Sequence, residues 1–402
     1  MSDVKIFTYN IEEEAKQQIN TLAAQSAFAN EKIRIMPDVH AGKGCTVGFT
    51  STYTDKIIPN IVGVDLSCGM LCYNFGKINL NLSVIDKICN LYFNLSLGEA
   101  HPYKYVNFDF SDLKMYGLHD EDYLLRSMGT IGSGNHFFEI NKDDEGNIYF
   151  VVHSGSRNFG KQVADYYQQL AILNINKKYN NLDEQQKSLI QEYKATGRQK
   201  EIQEALQELK NNYQNVQKIP NGLCYLEGKE LQNYLHDIEI CKEYARLNRH
   251  QVMSIIISKY FIETGKFLLH IDEFETLHNY IDVKHKIIRK GAIAAYQGQK
   301  VLIPLNMRDG AIIAIGKGNE DWNYSAPHGA GRQMSRSKAK EVLSMDEYVQ
   351  TMSGIYSSSV VPQTIDEAPM AYKPSEQIIE LVQDTVEIQK VIKPIYNFKV
   401  KS

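Results

Sequence analysis

The sequence has no apolar run long enough to cross a bilayer, no cysteine framework and no excess of positive charge, and each absence excludes a class of protein. A membrane-spanning helix needs roughly 20 consecutive apolar residues. The N-terminus, MSDVKIFTYNIEEEAKQQ, turns acidic where a signal peptide requires an apolar core. A soluble, cytoplasmic protein is expected. Six cysteines (Cys45, Cys68, Cys72, Cys89, Cys224 and Cys241) fall at no spacing that reads as a disulfide scaffold, so they read as reduced thiols. A formal net charge of −4 argues against indiscriminate nucleic-acid binding and leaves room for a local basic groove. Hydrophobic residues at 43% and charged residues at 23% are ordinary for a globular protein, and 402 residues can bury one large core.

What is present is a series of histidine, cysteine and aspartate residues beside glycines. The run HGAGRQMSRSKAK starts at His328 and places Gly329 and Gly331 where positive φ, and close approach of a ligand to the main chain, are both permitted. From about Ser335 the pattern turns helical, with Ala339, Val342, Leu343 and Met345 as inward positions. Backbone N–H groups of the Gly329, Ala330, Gly331 turn would then share a concavity with a helix N-terminus, which suits a phosphate. A histidine there can act as ligand, acid, base or nucleophile. A glycine-rich surface turn that binds nothing has the same sequence.

Upstream, IRIMPDVHAGKGCTVGFT predicts a strand that reaches Asp38 and His40 before breaking at glycines, as readily a structural turn as a substrate-shaping one. VDLSCG sets Asp65 and Cys68 three residues apart in a glycine-bounded bend; a carboxylate and a thiolate there can converge on a metal, and sulfur can bridge two. A small buried thiol beside a turn aspartate is the plainer reading. GTIGSGNHFFEI sets Asn135 and His136 ahead of Phe137 and Glu139, and IYFVVHSGSRNFG ends a β-branched strand on His153 and adds Arg157. Taken singly, each histidine reads as a core residue. Three apolar strands that each carry His, Cys or Asp beside glycine point to a shared site.

Residues 158–265 are polar and helix-periodic and predict a helical insertion on the flank of the domain, with His236, His250 and His270 in structural roles. Beyond it, His278 and Asn279 open an apolar segment. Lys284, Lys286, Arg289 and Lys290 form a basic cluster that reads either as a solvated loop or as an edge tracking a phosphate backbone. VLIPLNMRDGAIIAIGKGN predicts two strands, and the tail predicts one helix over EQIIELVQDTVEIQ and a terminal strand carrying Lys399.

The ordered set VDLSCG, GSGNHFFE, HSGSR, HNY, RKGA, HGAGR, EAPMAYK and KPIYNFK resembles the RtcB family of RNA ligases over nearly the whole chain. That resemblance implies an enzyme that seals RNA 2′,3′-cyclic phosphate or 3′-phosphate ends to 5′-hydroxyl ends, in tRNA splicing or RNA repair. GTP and two manganese ions are the implied cofactors, with a histidine–GMP intermediate. By resemblance, Asp65, Cys68, His136, His153 and His278 are the metal ligands and His328 accepts GMP. Asn135, Arg157 and Arg332 fall at phosphate-contacting positions, and Phe137, Glu139, Tyr372 and Lys399 at the guanine pocket. One departure stands out: where better-known members carry a glycine-serine-methionine-glycine turn, this chain has Leu305, Asn306, Met307 and Arg308.

The expected architecture is one α+β domain over residues 1–402, with strands converging on a central metal and nucleotide cleft, acting as a monomer without a membrane. Two other readings share part of the residue set. A metal-dependent cyclic phosphodiesterase would keep the metal ligands and need neither His328 nor Lys399; an inactive RNA-end-binding relative would need no turnover.

Overall fold

The computed structural model describes residues 2–42, 44–94, 107–180, 182–214 and 219–401. Residues 95–106, and residues 215–218 within the polar helical run, lie outside the described residues.

Two β-sheets carry the fold, and the helices pack around them. The larger has seven strands in the order Lys300–Asn306, Gly310–Gly316, Val386–Phe398, Phe137–Lys142, Ile148–Ser154, Gly69–Asn74 and Asp272–Leu277, every pairing antiparallel. The strand IYFVVHS is buried along its whole length, which explains its β-branched and aromatic composition without a polar alternation. The smaller sheet has five strands in the order Asp3–Ile6, Lys32–His40, Val47–Thr52, Ile287–Lys290 and Asn279–Asp282. Consecutive strands Asp272–Leu277 and Asn279–Asp282 lie in different sheets, and His278 is the one residue between them.

The polar segment after residue 157 is helical as its periodicity predicts, in helices Arg157–Asn180, Leu182–Ala195, Ile202–Gln214 and Gly228–Thr264. It does not all sit on a flank. The helix Gly228–Thr264 runs through the interior, with Asn248 and Arg249 fully buried among its apolar residues Val252, Met253 and Ile256. Asn248 holds the turn at 129–130 and the Ser154–Gly155 segment through five hydrogen bonds. Arg249 donates to the carbonyls of Ser67 and Ser154, both at 2.9 Å, and pairs with Glu275 at 2.6 Å. A run that looks solvated in sequence thus clamps the loops of the site from behind.

Two local expectations are corrected. The tail helix covers only Ser375–Leu381, because from Val386 the chain alternates Val-Glu-Ile-Gln with period two and enters the thirteen-residue strand Val386–Phe398. After His328 the helix is Arg336–Val342, seven residues capped by the Ser335 side chain, with Ala339 buried, Val342 exposed and Met345 opening a separate helix.

Candidate metal and nucleotide centre

Strand register brings the candidate ligands to one place. Gly69 pairs with both Ser154 and Leu277, and Phe137 pairs with His153. Cys68, immediately before Gly69, therefore meets His153 before Ser154, His136 before Phe137, and His278 after Leu277. The His278 N–H donates to the Cys68 carbonyl at 3.0 Å and fixes that end of the sheet.

Two ligand groups result, and they share one atom. Cys68 Sγ, His153 and His278 form one; Asp65, Cys68 and His136 form the other. The Cys68 Sγ lies 3.2 Å from Nε2 of both His136 and His153, and the Nε2 atoms of His153 and His278 are 3.2 Å apart. Asp65 Oδ2 is 2.9 Å from His136 Nε2. The loops that deliver these groups hold two non-glycine residues at positive φ, Ser67 at 58° and Arg157 at 57°, a pattern that concentrates at functional sites.

The donor set fits divalent cations. Asp65 Oδ1 is buried with no hydrogen-bond partner among the described residues. It lies so close to Gly155 that a Cβ there would sit 2.1 Å from it, so a larger residue at this bend would displace the Asp65 carboxylate. Burial opposes ionisation of Asp65, yet His136 and Arg157 pull its pKa down to about 2. Burial, then neighbouring imidazoles, holds His153 and His278 well below the usual histidine range, leaving neutral rings with lone pairs to give. Burial and the Asp65 carboxylate push the Cys68 thiol well above its ordinary range, and a coordinated cation is what converts such a thiol to thiolate. The His153 Nδ1–H donates to the Asn135 carbonyl at 3.0 Å, which presents Nε2 to the cluster.

Beside the cluster opens a cavity of about 300 Å³, lined among others by His153, His278, His328, Glu139 and Lys399. His328 follows the short strand Ser325–Pro327, and its ring centroid is 4.9 Å from that of His278. Its Nδ1 lies 2.6 Å from Asp38 Oδ2, which also accepts from the His328 backbone N–H at 3.1 Å. Nδ1 is thereby committed, and Nε2 is the nitrogen left for a reacting atom. Gly331 takes φ 75° and passes so near the Asp38 backbone that a Cβ would lie 2.3 Å from its carbonyl oxygen. Gly329 does not use positive φ; its Cβ position faces the Pro304 carbonyl at 3.2 Å.

The remaining candidates divide by position. Asn135, Phe137, Glu139, Gly329, Ala330, Gly331, Arg332, Tyr372 and Lys399 all line the cavity. Glu139 is buried, accepts from the Asn397 amide at 2.8 Å, and is pushed by burial up to about 7. The Lys399 ammonium lies 5.4 Å over the Phe137 ring and the Arg332 guanidinium 5.2 Å over the Tyr372 ring. Arg157 sits behind His136, donating to its Nδ1 at 3.1 Å and to the Ile131 carbonyl at 3.1 Å. The basic cluster separates: Arg289 is fully buried on Ser325, Tyr280 and Asp282, Lys290 lines the cavity, and Lys284 and Lys286 stay exposed at the hairpin turn. Leu305, Asn306 and Met307 line the cavity too. The Asn306 side chain is occupied within its own turn, accepting from the Arg308 and Asp309 N–H groups.

Asp38, noted in the sequence only at a turn of open role, and Glu367, not singled out there, are both placed at the site by the structure. The only signals were the strand end at IRIMPDVH and the first residue of EAPMAYK, neither of which names a partner.

Paired ligand groups that share a cysteine, next to a histidine-edged cavity, are the arrangement of a metal-assisted enzyme. Comparison with known proteins makes the assignment specific. The family described as tRNA-splicing ligase RtcB matches residues 18–103 and 106–400, and the chain belongs to this family. It is 29% identical over 425 residues to the RNA-splicing ligase RtcB of Escherichia coli (strain K12), covering 96% of this chain and 94% of that protein. It is 24% identical over 465 residues to the tRNA-splicing ligase RtcB of Aeropyrum pernix, covering 92% and 88%. The RNA-splicing ligase RtcB2 of Escherichia coli (strain ATCC 25922) is 24% identical over 408 residues, covering 92% and 87%. No helix among the described residues is long and apolar enough to cross a membrane.

Proposed function

We propose that this protein joins RNA 2′,3′-cyclic phosphate or 3′-phosphate ends to 5′-hydroxyl ends, using GTP and two Mn²⁺ ions, through a guanylated His328. The observation that carries the reading is the Asp38–His328 contact at the edge of a cavity that His153 and His278 of the ligand cluster also line.

Two divalent cations bound by Asp65, Cys68, His136, His153 and His278 supply charge neutralisation at phosphate oxygens and activation of a hydroxyl nucleophile. Sulfur, nitrogen and oxygen donors would bind zinc more tightly than manganese, so the choice of Mn²⁺ follows the family and metal availability. The protein's own groups do the rest. His328 Nε2 attacks the α-phosphorus of GTP, a P–N bond forms, and the bond to pyrophosphate breaks. Asp38 keeps the proton on Nδ1 and stabilises the positive charge that develops on the ring. After the cyclic phosphate is opened, GMP passes from His328 to the RNA 3′-phosphate, and attack by the 5′-hydroxyl with loss of GMP closes the phosphodiester.

Glu139 accepts from the guanine N1–H and N2–H₂ edge, which adenine lacks. Phe137, Tyr372 and Lys399 enclose the base, Asn135, Arg332 and the Gly329, Ala330, Gly331 turn serve its phosphates, and Arg157 acts from behind through His136. Incubation with Mn²⁺ and labelled GTP, followed by denaturing electrophoresis, tests the proposal. The ligase takes covalent label and His328→Ala does not. A phosphodiesterase would open a cyclic phosphate without label, and an RNA-end-binding relative would do neither.

A further inference from the structure

We propose that Glu367 is a positioning residue of the nucleotide pocket, one buried carboxylate that holds four cavity-lining side chains from behind the wall. The inference rests on the reading of this cavity as the GTP site. Glu367 Oε2 accepts from Lys399 Nζ at 3.0 Å and from the Tyr372 hydroxyl at 2.7 Å. Its Oε1 lies 3.3 Å from Arg332 Nη1 and 2.6 Å from Arg336 Nη1. Arg332, Arg336, Tyr372 and Lys399 all line the cavity, and Glu367 does not.

Each carboxylate oxygen offers about two acceptor sites; hydrogen bonds from Arg332, Tyr372 and Lys399 take three of them, and the Arg336 guanidinium adds an ion pair. Its charge is equally committed. Three cations converge within ion-pair distance on one anion that is 2% exposed, and the Asp366 carboxylate, 2.7 Å from Arg336, is the other acid at this wall. Burial opposes ionisation of Glu367, yet Lys399 and Arg336 hold its carboxyl below the usual range. Lys399 is itself buried, so without Glu367 its ammonium would lose its one ion pair among the described residues while still lying near Arg332 and Arg336. It would then leave its place over the Phe137 ring, and Tyr372 would lose its only hydroxyl contact among the described residues. Donors not used on Glu367 point to what is being held in place: an ammonium has three and a guanidinium five. Lys399 has one of its three engaged here. The group that aims these donors therefore governs how tightly the nucleotide is held, while the reacting atoms at His328 keep their own support from Asp38.

The test compares the full-length wild type with Glu367→Gln and Glu367→Asp, using GTP itself as the probe in the presence of Mn²⁺. Affinity is read by titration calorimetry and the single-turnover rate of His328 guanylation is read at saturating GTP. Glu367→Gln is expected to weaken GTP binding by about tenfold or more, with the saturated rate within about threefold of wild type. Glu367→Asp, which keeps the charge on a shorter arm, is expected to recover part of the affinity. Unchanged affinity in Glu367→Gln, or a loss confined to the saturated rate, overturns the proposal. Circular dichroism and thermal melting report folding; if Glu367→Gln does not fold, Glu367→Asp carries the test, and wild-type affinity in that variant overturns it. Wild-type protein that takes no label from GTP is a separate result, one that overturns the function proposed above.

Discussion

A single carboxylate oxygen of Asp38 holds His328 twice, at the ring Nδ1 at 2.6 Å and at the backbone N–H at 3.1 Å. The contact sets both the direction of the ring and the nitrogen that faces the cavity. Asp38→Asn keeps the shape and removes the charge. It is expected to slow His328 guanylation by about 10²-fold or more, with the melting temperature little changed, as read from the rate at which label from GTP enters the protein. A variant that labels at the wild-type rate would remove Asp38 from the chemistry.

The shared thiol makes the two ligand groups unequal to mutation. Wild-type protein is expected to bind two divalent ions per chain. His278→Ala removes a ligand from one group only and is expected to retain one ion, whereas Cys68→Ala takes the common atom from both and is expected to retain none. Elemental analysis after gel filtration counts them. Metal removal by a chelator is expected to lower thermal stability, since a ligand at 100 times its Kd stabilises by about 2.7 kcal/mol per site.

Glu139 gives stability a pH dependence of definite sign. Its folded pKa, about 7, stands above the ordinary 4.5, so the folded state keeps a proton that the unfolded chain has lost. Stability is therefore highest below pH 4.5 as far as this group is concerned, falls as pH rises through that window, and levels off above 7. The loss is on the order of 3 kcal/mol. Glu139→Gln should flatten that slope in urea titrations at pH 5 and pH 8. Guanine N–H donors favour the carboxylate, so GTP binding near pH 7 should release a proton, measurable by calorimetry in buffers of different ionisation enthalpy.

Arg249 tests the clamp behind the site. Arg249→Met leaves the partly exposed Glu275 without its partner and strands the carbonyls of Ser67 and Ser154. Leaving buried acceptors unpaired costs about 1–3 kcal/mol each, read as a shift of the urea midpoint. Because Ser67 and Ser154 directly flank Cys68 and His153, the affinity for divalent ions should fall in the same variant.

Much of this centre was legible only in combination, since each residue taken singly passes for a core or turn residue. Cys68, His136 and His153 each stand at the junction of a glycine turn and an apolar strand, a place where a buried side chain gains a polar task, and their kind names metal chemistry. His328 beside Gly329 and Gly331 was legible for the same reason. The functions of Asp38 and Glu367 were not. An aspartate ending a strand and a glutamate before Ala-Pro carry no local mark of their partners, which lie 290 residues away for Asp38 and 32 away for the Lys399 contact of Glu367. The tail helix was overextended because a run such as QDTVEIQ satisfies helical spacing until its neighbours, Gly310–Gly316 and Phe137–Lys142, offer it two strands to pair with.

The sequence by itself determined the inventory: an α+β chain, strands ending on imidazole, thiol and carboxylate, and glycines where the backbone must pass close to a charged group. Residue type dictates those, because donor chemistry and φ preference are local properties. Tertiary structure alone decided that Cys68 stands between two ligand groups, that Arg249 belongs to the core and not to a solvated face, and that Glu367 gathers four side chains of the cavity wall. These depend on antiparallel register and on packing between segments remote in sequence, where a shift of one residue would turn His153 to the opposite face of its strand and take Cys68, His136 and His278 out of line with it.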